Sequence, residues 1–117
     1  MAGLERKQFE FPDETRRSAG GKGKVDIVTV GQFQIGRGVF EPGWQWSKHV
    51  KAAVDTESCH AVHAGFIQQG QMAVRMDDGS ELVYGPGDVF YIPAGHILWV
   101  VGEEQCIMID ITGNPHV

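Results

Sequence analysis

The sequence predicts an all-β, antiparallel fold of the sandwich or barrel type. Two observations carry this expectation. Short β-type runs recur from Val25 onward, with turn-forming residues between nearly every pair. No window shows a convincing helical period, and the 16 glycines fall too often for a long helix.

The runs follow in order: VDIVTV, QFQIGRGVF, AVHAGFI, QMAVRM, ELVY, DVFYI, ILWVV and QCIMIDI. The turn signals between them are VGQ, EPG, QQG, DDGS, GPGD, PAG and GEE. Asp78-Gly79 supplies the positive φ of a tight hairpin, so QMAVRM should pair with ELVY. In GPGD, Pro86 fixes φ and Gly87 relaxes it, which suits a sharp reversal. Alternation then points Met72, Val74 and Met76 one way and Gln71, Ala73 and Arg75 the other. Cys106 lies in a buried-strand pattern and is expected in the core.

A chain of 117 residues fits one domain with a real core. Residues 1–24 read as a polar N-terminal arm or linker ending in SAGGKGK, and residues 25–117 as the β domain. Leu4, Phe9 and Phe11 give the arm apolar side chains without a core of its own. A homodimer with the arm crossing over is therefore expected.

The formal charge is −5, with six Lys/Arg against four Asp/Glu in residues 1–24 and four against eleven in the remainder. An acidic body without a basic stripe argues against nucleic acid. Apolar runs such as HILWVV are too short to span a bilayer, and MAGLERKQFEF lacks the apolar region of a signal peptide. The expectation is a cytoplasmic protein, without membrane or nucleic-acid partners, in which Cys59 and Cys106 are free thiols.

The stretch ESCHAVHAGFIQQG, residues 57–70, holds the densest set of ligand-type side chains. If extended, it places Glu57, Cys59, Ala61, His63, Gly65 and Ile67 on one face. His60 falls on the other face with Val62 and Phe66, and is expected to meet solvent, as is His116. Cys59 and His63 are thus able to converge on one ion, whereas His60 needs a bulge to join them.

GPGDVFYIPAGH, residues 85–96, resembles the second sequence motif of the cupins, which are jelly-roll β-barrels. That motif runs G-x5-P-x-G and is matched by Gly87, Pro93 and Gly95. The first cupin motif, H-x-H-x3-E-x6-G, is matched in spacing from Gly70. His63 then stands on its glutamate position, with Cys59 and Glu57 on its two histidine positions. The last cupin ligand usually lies where this chain has Leu98; the histidine here is His96, on the same strand face.

The resemblance spans roughly residues 33–111 and implies that Cys59, His63 and His96 face one another inside the barrel. Unpartnered polar side chains there would cost about 2–7 kcal/mol each, and one divalent ion satisfies all three. A thiolate with two imidazoles suits zinc with an open fourth position; nickel, copper and iron accept the same ligand types. Glu57 and His49 are rival fourth ligands or proton-moving groups. Trp44 and Trp46 alternate on one face, where they line a small-molecule pocket or cover the barrel.

Three functions follow. The first is a metal-dependent enzyme acting on a small polar metabolite, with His49 or Glu57 moving the proton. The second is a non-catalytic module that binds a small ligand or a metal, and the third a metal-free structural cupin.

Overall fold

The computed structural model describes residues 3–51 and 58–111. Among the described residues, nine strands form two antiparallel sheets: β1 (Glu14–Arg17), β2 (Gly23–Val30), β3 (Phe33–Phe40), β4 (His63–Gln69), β5 (Gln71–Met76), β6 (Glu81–Tyr84), β7 (Val89–Ile92), β8 (His96–Val101) and β9 (Cys106–Asp110). The larger sheet has the order β1-β2-β3-β9-β4-β7 and the smaller β6-β5-β8. This is an antiparallel jelly-roll barrel. Helix is confined, among the described residues, to α1 (Trp46–His49) and a 3-10 turn at Ala19–Gly21. None of these helices is long and apolar enough to cross a membrane.

Each expected run forms a strand. The β5–β6 hairpin closes on Gly79, whose φ of 92° lies in the region open to glycine. Its register pairs Met72 with Tyr84 and Val74 with Leu82. The GPGD turn does not join paired strands. It hands the chain from β6 in the small sheet to β7 in the large one. There the Asp88 carboxylate accepts from the Gly85 N–H at 2.8 Å.

Alternation places the core between the sheets. Ile27, Ile67, Met72, Ile92 and Cys106 are fully buried there, and each large apolar side chain contributes about 1.5–3 kcal/mol by leaving water. Trp44 and Trp46 belong to the same core. They do not share a strand face, because Trp44 lies in a turn and Trp46 opens α1. Ala73 is buried as well, on the face opposite Met72, where its cross-strand neighbour is Trp99.

The segment expected as an arm is more structured than its composition suggested. Glu14–Arg17 pairs with β2 over four residues, and β2 itself begins at Gly23. The Thr15 hydroxyl donates to the buried Asp26 carboxylate at 2.8 Å. The side chains of β1 are mostly exposed, so the strand carries no apolar alternation that marks it in the sequence. Ahead of it, Phe9 stacks on the Arg37 guanidinium at 5.0 Å, while Leu4 and Phe11 stay exposed.

Candidate metal centre

Cys59, His63 and His96 come from three places in the chain. His63 opens β4 and His96 opens β8. Cys59 sits just before β4 and forms an isolated antiparallel bridge with His96. Its N–H donates to the His96 carbonyl at 2.7 Å. The extended backbone from Cys59 to Ile67 alternates as expected, with Cys59, Ala61, Gly65 and Ile67 buried and His60, Val62 and Phe66 exposed. One donor atom from each of Cys59, His63 and His96 lies within 4.8 Å of the others.

The two imidazoles are oriented by their other ring nitrogen. His96 Nδ1 lies 2.6 Å from the Pro93 carbonyl, which only accepts, so Nδ1 carries the proton. Its Nε2 is buried without a hydrogen-bond partner. His63 Nδ1 lies 2.5 Å from Asp110 Oδ2, which leaves Nε2 to face Cys59 Sγ at 4.0 Å. The rings meet edge to face at 5.2 Å between centroids.

Asp110 is the functional residue that the motif reading missed. It stands opposite Gly36 on one side and Gly65 on the other. Two glycines leave room for its carboxylate to lean toward His63, the diagonal neighbour on β4. Gly65 has a second duty, because a Cβ there would lie 1.8 Å from the Ile109 carbonyl oxygen. Only glycine lets β4 and β9 approach this closely. A signal existed in the sequence: Asp110 shares strand parity with the core residues Cys106 and Met108.

The charges of the cluster reinforce one another. Burial alone pushes the Cys59 thiol up, yet the neighbouring imidazoles outweigh it and bring it from 9.0 down to about 6. Burial likewise disfavours a charged His63, but Asp110 and then Cys59 raise it from 6.5 to about 9. Without an ion the pair is a thiolate beside an imidazolium near neutral pH. Cys106, buried beside Glu104 and lacking such partners, is pushed up to about 12 and stays a thiol.

The donor set fits a divalent ion. Two oriented Nε2 positions and a low-lying thiol face one space, and the buried His96 Nε2 has no other partner. His49 is not brought to this cluster. It ends α1, where its Nδ1 lies 3.0 Å from the backbone N of Gln45 and its ring sits beside Gly20. Glu57 and His116 fall outside the described residues.

No family model and no curated protein matches the chain. Solved structures do. A protein of unknown function (DUF1255) from Acinetobacter sp. ADP1 superposes with a TM-score of 0.62 at 15% identity, over 86% of this chain and 90% of that one. A cupin-like protein from Thermotoga maritima gives 0.55 at 19%, over 80% of this chain and 72% of its own. An iron(II) form of HppE gives 0.66 at 8%, over 93% of this chain and 60% of its own. Likenesses at such identities establish fold and nothing finer. The chain has the cupin jelly-roll fold, with Cys59, His63 and His96 gathered inside the barrel.

Proposed function

We propose that the protein is a metal-binding cupin that holds one divalent ion through Cys59, His63 and His96 and takes a small metabolite beside it. The orientation of both imidazoles carries this reading: Asp110 and the Pro93 carbonyl each hold an Nδ1, so both Nε2 atoms are turned to the space shared with Cys59 Sγ. Zinc is the metal favoured by one soft thiolate with two imidazoles. Iron is the alternative that a neighbour of the same fold carries in its name. When bound, such an ion supplies Lewis acidity toward a carbonyl or a water.

This chain's own residues hold and orient. Asp110 keeps the His63 proton on Nδ1, the Pro93 carbonyl does the same for His96, and burial of Cys59 and His96 excludes bulk water. With His49 turned toward Gln45 and Asp110 engaged with His63, the cluster favours, among the described residues, holding a metal or ligand over general acid–base catalysis. Both cysteines are free, as a reducing, cytoplasmic setting keeps them. The exposed Leu4 and Phe11 support the homodimer with a crossing arm. Removing residues 1–12 should then weaken association in sedimentation, and a monomer for both forms would remove the dimer.

The metal reading is tested by equilibrium zinc binding to wild type and to Cys59→Ser. The substitution keeps the shape of the side chain and replaces a soft anion with a neutral hydroxyl, so zinc should bind far more weakly. Full occupancy in Cys59→Ser would demote Cys59 to a wall residue.

A further inference from the structure

The two sheets part at the seam between β6 and β7, the outermost strands of the small and large sheets on that side. A cavity of about 210 Å³ opens there. Its inner wall is Met76 and Ile92, and its mouth includes Glu81, Leu82 and Tyr91, with Tyr84 on the β6 side. Leu82 points inward, in register with Val74, yet is 62% exposed, and Tyr91 is 65% exposed. These apolar side chains face an opening rather than a packed core.

The register places this slot beside the candidate metal centre. Met76 stands directly opposite His96 in the β5–β8 ladder, and Ile92 directly opposite His63 in the β4–β7 ladder. Directly opposed residues project from the same face with Cβ atoms about 4.5–5.5 Å apart. The inner wall of the slot is therefore one side chain removed from both imidazoles.

The lining selects by size and charge. The volume lies under the roughly 300–1,000 Å³ of pockets for drug-sized ligands, but exceeds the ~150 Å³ in which aliphatic side chains hold benzene. Among the described residues, no cation lines the slot. Residues 76–117 carry seven Asp/Glu and no Lys or Arg. Arg75 points away, onto Trp99 on the outer face at 5.4 Å. Glu81 stands directly opposite Arg75 in the β5–β6 ladder and so shares that outer face. The inward wall of Val74, Met76, Leu82, Tyr84 and Ile92 offers no charged partner, so it suits an uncharged group.

We propose that the β6–β7 seam is the ligand pocket of this protein and takes a compact, benzene-sized, uncharged group beside the metal centre. This rests on the metal reading for what the ligand meets next, but not for the slot itself. The experiment therefore uses chelator-treated protein. Benzylamine, benzyl alcohol and benzoate, equal in size and different in charge, are titrated while the methyl NMR signals of Met76, Leu82 and Ile92 are followed.

Benzyl alcohol should shift those signals, with benzylamine and benzoate each at least about tenfold weaker, a difference of about 1.4 kcal/mol. Leu82→Trp, at an exposed position, should fill the mouth and weaken the alcohol about tenfold or more. Benzoate or benzylamine binding as tight as benzyl alcohol, or alcohol binding that ignores Leu82→Trp, would overturn the proposal. Zinc uptake by the same preparations, measured separately, decides the metal centre and not the slot.

Discussion

The imidazole of His63 and the carboxylate of Asp110, 47 positions apart in the chain, meet at 2.5 Å across the β4–β9 ladder. This contact fixes the ring, places its proton on Nδ1 and raises the basicity of the nitrogen that faces Cys59. Asp110→Asn should weaken zinc about 10–100-fold, the usual effect of removing such a partner. A chromophoric chelator in competition reads the affinity, and circular dichroism checks the fold. Unchanged affinity would reduce Asp110 to a polar cover over the end of the sheet.

Strand faces give a second expectation. His60→Ala should leave metal content and stability nearly unchanged, because His60 is exposed on the far side of the strand. His63→Ala should strip the metal, since it removes one of three protein ligands. Equal losses in the two variants would mean that the strand is slipped or bulged relative to the register found here.

Gly65→Ala tests the close approach that makes the His63–Asp110 contact possible. Its Cβ would meet the Ile109 carbonyl oxygen at 1.8 Å, and backbone cannot yield as a flexible side chain does. Forced overpacking of this kind costs about 1–3 kcal/mol. Denaturant unfolding should show that loss, together with weaker zinc binding. A variant as stable as wild type would contradict the packing of β4 on β9.

The pH dependence has a definite sign. In metal-free protein, the stabilisation from Cys59 is complete above its unfolded value of 9.0 and lost as pH falls through about 6. That from His63 is complete below its unfolded value of 6.5 and lost as pH rises through about 9. Between 6.5 and 9 the two slopes are equal and opposite, so the pair contributes a flat profile there. Metal adds stability that must shrink with falling pH, because protons compete for the sulfur and the imidazole. Thermal melts of loaded and metal-free protein from pH 8 to pH 5 should therefore converge. A gap that widens toward acid would exclude thiolate ligation.

Calorimetry offers an independent check of the same charges. Near pH 7.5 Cys59 is already a thiolate, while His63 still carries the proton that an ion must displace. Binding should release about one proton from this pair, read from the buffer dependence of the heat. Two released protons would mean that Cys59 is an ordinary thiol before the metal arrives.

Local signals in the sequence carried most of the fold. Asp78-Gly79 specified its hairpin, and period-two alternation separated His60 from His63. The spacing from Gly70 and the P-x-G segment brought Cys59, His63 and His96 together as a set, and the structure does bring them into one space. The missing parts depend on pairing between distant segments. Asp110 is polar at a core-facing position, but its partner lies on a strand far away in sequence, and no periodicity reveals which strands will be neighbours. The β6–β7 slot is likewise a gap between strands of different sheets. Polar ETRR and the four-residue α1 are too short and too weakly patterned to stand out.

The most direct test is elemental analysis of wild-type protein purified without added metal, followed by equilibration with stoichiometric zinc and removal of the unbound ion. The expected result is one divalent transition metal per chain, on the three donors that face one another in the barrel. Protein that arrives without metal and takes up none when zinc is supplied, while remaining folded, would contradict the assignment of Cys59, His63 and His96 as a metal centre.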